Sequence, residues 1–329
     1  MTYARKNQVS LKETPYYHVV ARCVRRAWLW GFDQYAGRDY SHRKEWVIER
    51  LSQLTAMFSV DVCAYAVMSN HYHLVLHVDV RRSKTWSPVD VVKRWTRLYR
   101  LPPIVDRWLR QEAGEAESQV AIDLVERWRE RLADISWFMR ALNEHLARRA
   151  NDEDQCKGRF WEGRFRSQAL LDEAGLLTAM TYVDLNPIRA GIAETPEASD
   201  FTSIQERIRA LSPAGSMAAS EASGPCVPLL PFRLGAPAVD IPFGLNEYLY
   251  LVDWTGRSVR SDKKGAIQSA LPPILSRLNI DSDAWILAMQ PRGSRFGRAI
   301  GSLPHLRLHA EVLGQSWIRG LRRAERLYG

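Results

Sequence analysis

Residues 60–79 constrain the fold more than any other stretch of the chain. VDVCAYAVMS (60–69) and HYHLVLHVD (71–79) are rich in β-branched and aromatic residues, and Ser69-Asn70 lies where the two runs meet. Strand-forming runs joined by turn chemistry predict an antiparallel hairpin. YYHVVARCV (16–24) reads as another strand. After it, SHRKEWVIERLSQLTAMF (41–58) sets Trp46, Val47, Leu51, Leu54 and Met57 at helical spacing, with Ser41 as N-cap. VDVVKRWTRLY (89–99) reads as a helix stopped by Pro102-Pro103, and 121–151 as one long helix or two shorter ones. RFWEGRFRSQALL (159–171) alternates aromatic and basic residues, as a strand with one charged face would. DEAGLLTAMTYVDLN (172–186) predicts a helix starting near Asp172 and interrupted at Pro187. The order strand, helix, strand, strand, helices, strand, helix predicts an α+β fold. Its sheet would be ferredoxin-like and antiparallel, with helices on one face and a helical insertion.

A chain of 329 residues suits about two domains. Composition shifts near 194–240, where SPAGSMAASEASGPCVPLLP is rich in Ser, Ala, Gly and Pro. The predicted organisation is therefore a first domain over 1–195, a linker over 196–240 and a smaller basic domain over 241–329. In that last part Lys263, Lys264, Arg319, Arg322 and Arg323, with Trp254 and Trp317 nearby in sequence, suggest DNA contact, although a solvated helix face would look the same.

The net charge is +9 and the pI about 9.5, which favours a polyanionic partner over a small neutral substrate. Cys23, Cys63, Cys156 and Cys226 form no CxxC pair, so neither a zinc knuckle nor a disulfide framework is expected. The N-terminus shows no signal peptide, and no apolar run approaches the roughly 20 residues of a membrane span. These features predict a cytoplasmic protein without a membrane partner.

Three stretches could carry chemistry. On a strand, His71 and His73 point to one side and Tyr72 to the other. Two neighbouring imidazoles can bind a metal ion, or be two polar residues on a wet face. His77 shares their parity but lies roughly 13 Å from His73 along a strand, which argues against a third ligand there. In TYVDLNPIRAGI (181–192), Tyr182 and Asn186 share a helix face. They are either a core tyrosine and a helix-ending asparagine, or a nucleophile and an amide ligand one turn away. CKGRFWEGRFRS (156–167) carries Lys157, Arg159, Arg164 and Arg166 with Phe160, Trp161 and Phe165 interleaved. Cations that track phosphates and aromatic faces that stack bases suit single-stranded nucleic acid. A solvated strand with core-facing aromatics has the same pattern.

Together these stretches resemble the REP-associated tyrosine transposases, members of the HUH nucleases named for His, a bulky hydrophobic residue and His. His71-Tyr72-His73 fits that motif. TYVDLNPIRAG fits the family's Y-x-x-x-N-P-[VI]-[RK]-A-G helix, and GRFWEGRFRS is similar to its basic strand. The resemblance spans about residues 12–195. It implies an HUH nuclease core that cleaves DNA by transesterification. Tyr182 would be the nucleophile, and His71, His73 and Asn186 the ligands of a divalent metal, Mg²⁺ or Mn²⁺. Lys157, Arg159, Arg164, Arg166 and Arg189 would contact DNA. The implied partner is single-stranded or hairpin DNA, such as a REP-like palindrome. The protein would be a nucleoid-associated bacterial transposase acting as a monomer or homodimer. Two alternatives compete. One is a catalytically retired DNA-binding regulator of the same fold, which would need neither the histidines nor Tyr182. The other is a small-substrate hydrolase, which the excess positive charge disfavours.

Overall fold

A computed structural model of the protein describes residues 9–24, 31–33, 37–211, 225–233, 240–259, 272–290 and 297–328. Strand β1 (Tyr16–Arg22) leads to a two-residue ladder of β2 (Phe32–Asp33) and β3 (Arg38–Asp39), then to helix α1 (Arg43–Met57). The expected hairpin forms from β4 (Val60–Val67) and β5 (His71–Val78), with Val67 opposite Tyr72. It closes through the Met68 N–H, which donates to the His71 carbonyl at 2.9 Å.

Helices α2 (Val80–Thr85), α3 (Pro88–Trp95), α4 (Pro103–Leu109), α5 (Glu115–Leu132) and α6 (Ile135–Glu153) follow. The stretch 121–151 is thus two helices, broken where Asp134 caps the second by accepting from the Trp137 N–H. Trp95, buried on α3, stacks on Trp128 of α5 with ring centroids 5.2 Å apart and anchors the insertion.

The chain then returns to the sheet as β6 (Arg166–Leu170), followed by α7 (Glu173–Asp184), α8 (Asn186–Arg189) and α9 (Ser203–Leu211). Beyond these lie α10 (Leu245–Val259), α11 (Pro273–Arg277), α12 (Ser282–Met289), β7 (Ala299–Ile300), α13 (Leu303–Val312) and α14 (Leu321–Tyr328).

The sheet order is β4-β5-β1-β6-β7. Its first four strands are antiparallel neighbours. With α1 before β4 and α6 before β6, they reproduce the split βαβ plan. The fold is α+β, with two corrections to the expected sheet. First, β7 joins parallel to β6, pairing Ala169 with Ala299, so the sheet is not wholly antiparallel. Second, helices cover both faces. Tyr72 points to one side and donates to the Asn143 amide oxygen of α6 at 2.6 Å. His73 points to the other, where the ring of Tyr182 from α7 meets it.

A third correction concerns 159–171. Only 166–170 is strand. Cys23 pairs with Trp161 and Val20 with Arg166, so five steps along one chain face three along the other. The two extra residues make a bulge around Gly163, which resets the alternation.

The segment read as a linker is partly packed structure. Helix α9 lies against β4, where the Ser203 hydroxyl accepts from the Tyr65 N–H. The Leu230 N–H donates to the Val62 carbonyl. Residues 212–224 and 234–239 of that segment lie outside the described residues. Among the described residues no helix is long and apolar enough to cross a membrane.

Helix α7 is enclosed between the sheet and the C-terminal helices. Thr178 bonds the Tyr328 hydroxyl at 2.8 Å, and a side chain at Gly175 would meet the Ile300 carbonyl of β7 at 2.4 Å. Gly175→Ala should therefore force α7 and β7 apart and destabilise the protein by about 1–3 kcal/mol. Urea unfolding measures this, and an unchanged midpoint would mean that the close approach is not maintained.

Candidate active site

Register decides which side chains share a sheet face. Arg22 lies opposite His71, Val20 opposite His73 and His18 opposite Val75. On the far side of β1, Arg166 lies opposite Val20 and Gln168 opposite His18. Because side chains alternate with period two, Arg22, His71, His73, His18, Arg166 and Gln168 all project toward α7.

The imidazoles are in contact. Ring centroids of His71 and His73 are 4.9 Å apart. His73 Nδ1 lies 2.9 Å from His18 Nε2, and His18 Nδ1 lies 2.7 Å from Gln168 Oε1. His71 Nδ1 bonds Asn70 Oδ1 at 2.7 Å. His18 and His73 are buried, and His71 is partly exposed. His77 stands apart, bonded to Asp61 at 3.2 Å. It is not brought to this cluster, as its distance along the strand suggested.

Tyr182 covers the imidazoles. Its ring centroid is 5.8 Å from that of His73 and 6.1 Å from that of His18, both edge-on. From Ala174 to Ile188, Tyr182 is the one residue that is not buried. The Arg189 guanidinium sits 4.1 Å above the same ring, a cation–π contact. Arg189 also donates through Nε to the Met289 carbonyl at 2.5 Å and through Nη2 to that of Gln290 at 3.1 Å. The carbonyl-rich C-terminus of α12 thus holds the arginine over the tyrosine. Sequence grouped Arg189 with the DNA contacts; these bonds give it a structural role first.

Asn186 opens α8, one step after α7 ends at the turn residue Leu185. Its side chain is 7% exposed, and among the described residues its Nδ2 has no hydrogen-bond partner. An unpaired N–H donor suits an acceptor such as a phosphate oxygen, whereas a cation would be met by Oδ1. Between Tyr182 and Asn186, the fully buried Asp184 fixes the helix end. It accepts from the Ser203 hydroxyl and the Ile204 N–H of α9 and from the Tyr248 hydroxyl of α10.

Of the basic residues, Arg166 reaches the histidine face, and Arg22, unnoticed in the sequence, borders His71. Lys157, Arg159 and Arg164 are exposed on the segment between α6 and β6. Phe160 and Phe165 are buried in the core, so the core-facing reading holds for them. Trp161 donates its indole N–H to the Asn143 carbonyl. In the C-terminal region Arg319, Arg322 and Trp317 are exposed, Arg323 is partly exposed and Trp254 is buried. Lys263 and Lys264 lie outside the described residues.

Burial dominates the electrostatics. It pulls His18 down to about 4, and His71 to about 4 with help from Arg22. His73 falls well below the usual imidazole value, through burial first and neighbouring positive charge second. All three are neutral near pH 7, and His71 and His73, each bonded at Nδ1, keep Nε2 for a cation. Among the described residues no three His, Cys, Asp or Glu side chains converge on a metal position. Two adjacent imidazoles, with a buried asparagine where α7 gives way to α8, are not a closed cage.

No family model matches the chain, and no curated protein matches it. One solved structure is similar, described as a REP-associated tyrosine transposase bound to a REP hairpin. It is 13% identical, with a TM-score of 0.36, over 65% of this chain and 89% of that one. This is a distant likeness at the level of fold, and the site is read from its own geometry.

Histidines depressed in the folded state make stability fall as pH drops. Between the unfolded value of 6.5 and about 4, the unfolded chain binds protons that the native imidazoles refuse. Asp184, pushed up to about 6 by burial, acts oppositely, binding a native-state proton between its ordinary 3.8 and about 6. Urea midpoints should be flat just above pH 6.5, fall at once below it, and fall less steeply below pH 6. The loss amounts to at most about 1.4 kcal/mol per pH unit for each such histidine. Midpoints that rise on acidification from pH 7 to 6 would contradict this burial.

Proposed function

We propose that the protein is a metal-dependent DNA nickase and strand-transfer enzyme, a transposase of the REP-associated tyrosine kind. It would cut single-stranded or hairpin DNA through a 5′-phosphotyrosine intermediate. The observation that carries this reading is Tyr182. It alone in an otherwise buried helical stretch keeps contact with solvent, and its ring lies against the paired histidines of its own chain. That arrangement supports a site complete within one protomer.

In the proposed reaction the Tyr182 oxygen forms a bond to the scissile phosphorus. The bond from phosphorus to the 3′ oxygen breaks, and the phenolic proton is lost as the 3′ oxygen gains one. The phosphodiester energy stays in the protein–DNA link, so a 3′-hydroxyl can reverse the step. Arg189, held by the end of α12, fixes the ring face. Arg22 and Arg166 flank the imidazoles with positive charge where a DNA phosphate would approach.

The site suits a divalent cation, Mg²⁺ or Mn²⁺. His71 and His73 are adjacent, neutral and hydrogen-bonded at Nδ1, and Asn186 is a buried asparagine at the end of the tyrosine helix whose Oδ1 is the atom that would meet a cation. They are the ligands we assign. A cation there would act as a Lewis acid on a phosphate oxygen. Two imidazoles and an amide leave coordination positions for water and substrate. Lys157, Arg159 and Arg164, and the exposed Arg319 and Arg322, would track the DNA further out.

Incubation with a labelled REP-like hairpin oligonucleotide and Mn²⁺ should give a protein–DNA adduct that survives denaturation. Tyr182→Phe should abolish the adduct and still shift the hairpin in a native gel. A shift without any adduct from the unmodified protein would instead identify a DNA-binding regulator. An adduct that persists in Tyr182→Phe would assign the nucleophile elsewhere.

A further inference from the structure

His18 and Gln168 belong to no motif noted in the sequence, yet they end a hydrogen-bonded line that starts at a metal-ligand candidate. The line runs from His73 Nδ1 to His18 Nε2 at 2.9 Å, and from His18 Nδ1 to Gln168 Oε1 at 2.7 Å. It ends where Gln168 Nε2 meets the carbonyl of Gly297. Each link permits one direction only. A backbone carbonyl can only accept, so the Gln168 amide must present N–H to Gly297 and oxygen to His18. An amide oxygen can only accept, so His18 Nδ1 carries the proton. A neutral His18 then has a bare Nε2, and His73 must donate to it from Nδ1. What remains on His73 is a lone pair at Nε2.

We infer that His18 and Gln168 are positioning residues that lock His73 in its Nδ1–H tautomer, so that its Nε2 lone pair is held ready for a cation. The purpose rests on the proposed metal site; the tautomer itself does not. The premise that His18 is neutral has support independent of the line. His18 is 4% exposed, packed between His73 and Gln168, and burial of that depth disfavours the imidazolium. Ligating histidines commonly owe their orientation to such an outer partner. Here the partner is a second histidine rather than a carboxylate, so the relay adds no negative charge beneath the site. Its anchor, Gly297, comes from the chain just before β7. The C-terminal region would therefore set the proton position of a histidine in the N-terminal hairpin.

Nitrogen-15 labelling of histidine in the full-length protein tests this without any metal. Long-range proton–nitrogen correlation spectra near pH 7.5 should show His73 protonated at Nδ1, with assignment through His73→Gln. Protonation of wild-type His73 at Nε2 would overturn the relay, whatever the variants do. Gln168→Met removes the amide acceptor at similar volume and should produce a mixed or reversed His73 tautomer. It should also weaken Mn²⁺ binding, read by the free-ion electron paramagnetic resonance signal, by about 10- to 100-fold. Unaltered Mn²⁺ affinity in a folded Gln168→Met protein would contradict the positioning role. A wild-type protein with the Nδ1–H tautomer but no Mn²⁺ binding would sink the metal reading and leave the proton relay standing, so the two failures are distinguishable.

Discussion

A stripe of imidazoles buried between a sheet and a helix is the constraint on which this structure depends. Uncharged polar rings taken out of water destabilise a fold unless their nitrogens find partners. His18 and His73 partner each other, and Gln168 completes the line. Helix α7 must then lie close enough to exclude water and still leave one aromatic edge open. It does so because from Ala174 on it is buried nearly all round, with sheet beneath and C-terminal helices above. From Ala174 onward Tyr182 is the exception in that helix, and it faces the imidazoles.

The C-terminal region is tied to this arrangement at several points. Tyr248 donates to Asp184 at the end of α7, carbonyls of residues 289 and 290 hold Arg189 over Tyr182, and Gly297 receives Gln168. Asp184 is the firmest of these ties. A fully buried carboxyl with three donors from two other helices cannot move without leaving a polar group unsatisfied. The orientation of Tyr182 is thus built from both ends of the chain.

Much of this was legible in sequence because it is local. The hairpin at 60–79, the helix from Asp172 with its cap and the helical spacing of 41–58 depend on neighbouring residues, although α1 is entered from His42 without a side-chain cap rather than from Ser41. The parity of His71 and His73 follows from strand geometry alone. His18 was invisible as a site residue because its place depends on the pairing of β1 with β5, a register between distant segments that no local pattern encodes. Gln168, Arg22 and the Met289 carbonyl were hidden for the same reason. Alternation in 159–171 misled because a bulge around Gly163 breaks the period, and composition at 196–240 misled because a short amphipathic helix sits inside it. The Ser- and Pro-rich flanks outweighed its pattern.

The central claim is that a phenol stands over a cation site formed by His71 and His73. Anomalous diffraction from crystals soaked in Mn²⁺ tests it most directly. The account predicts a peak within bonding distance of Nε2 of both histidines, on the α7 side of the sheet and beneath the Tyr182 ring. A peak that engages neither imidazole, or histidines left bare at saturating Mn²⁺, would contradict it.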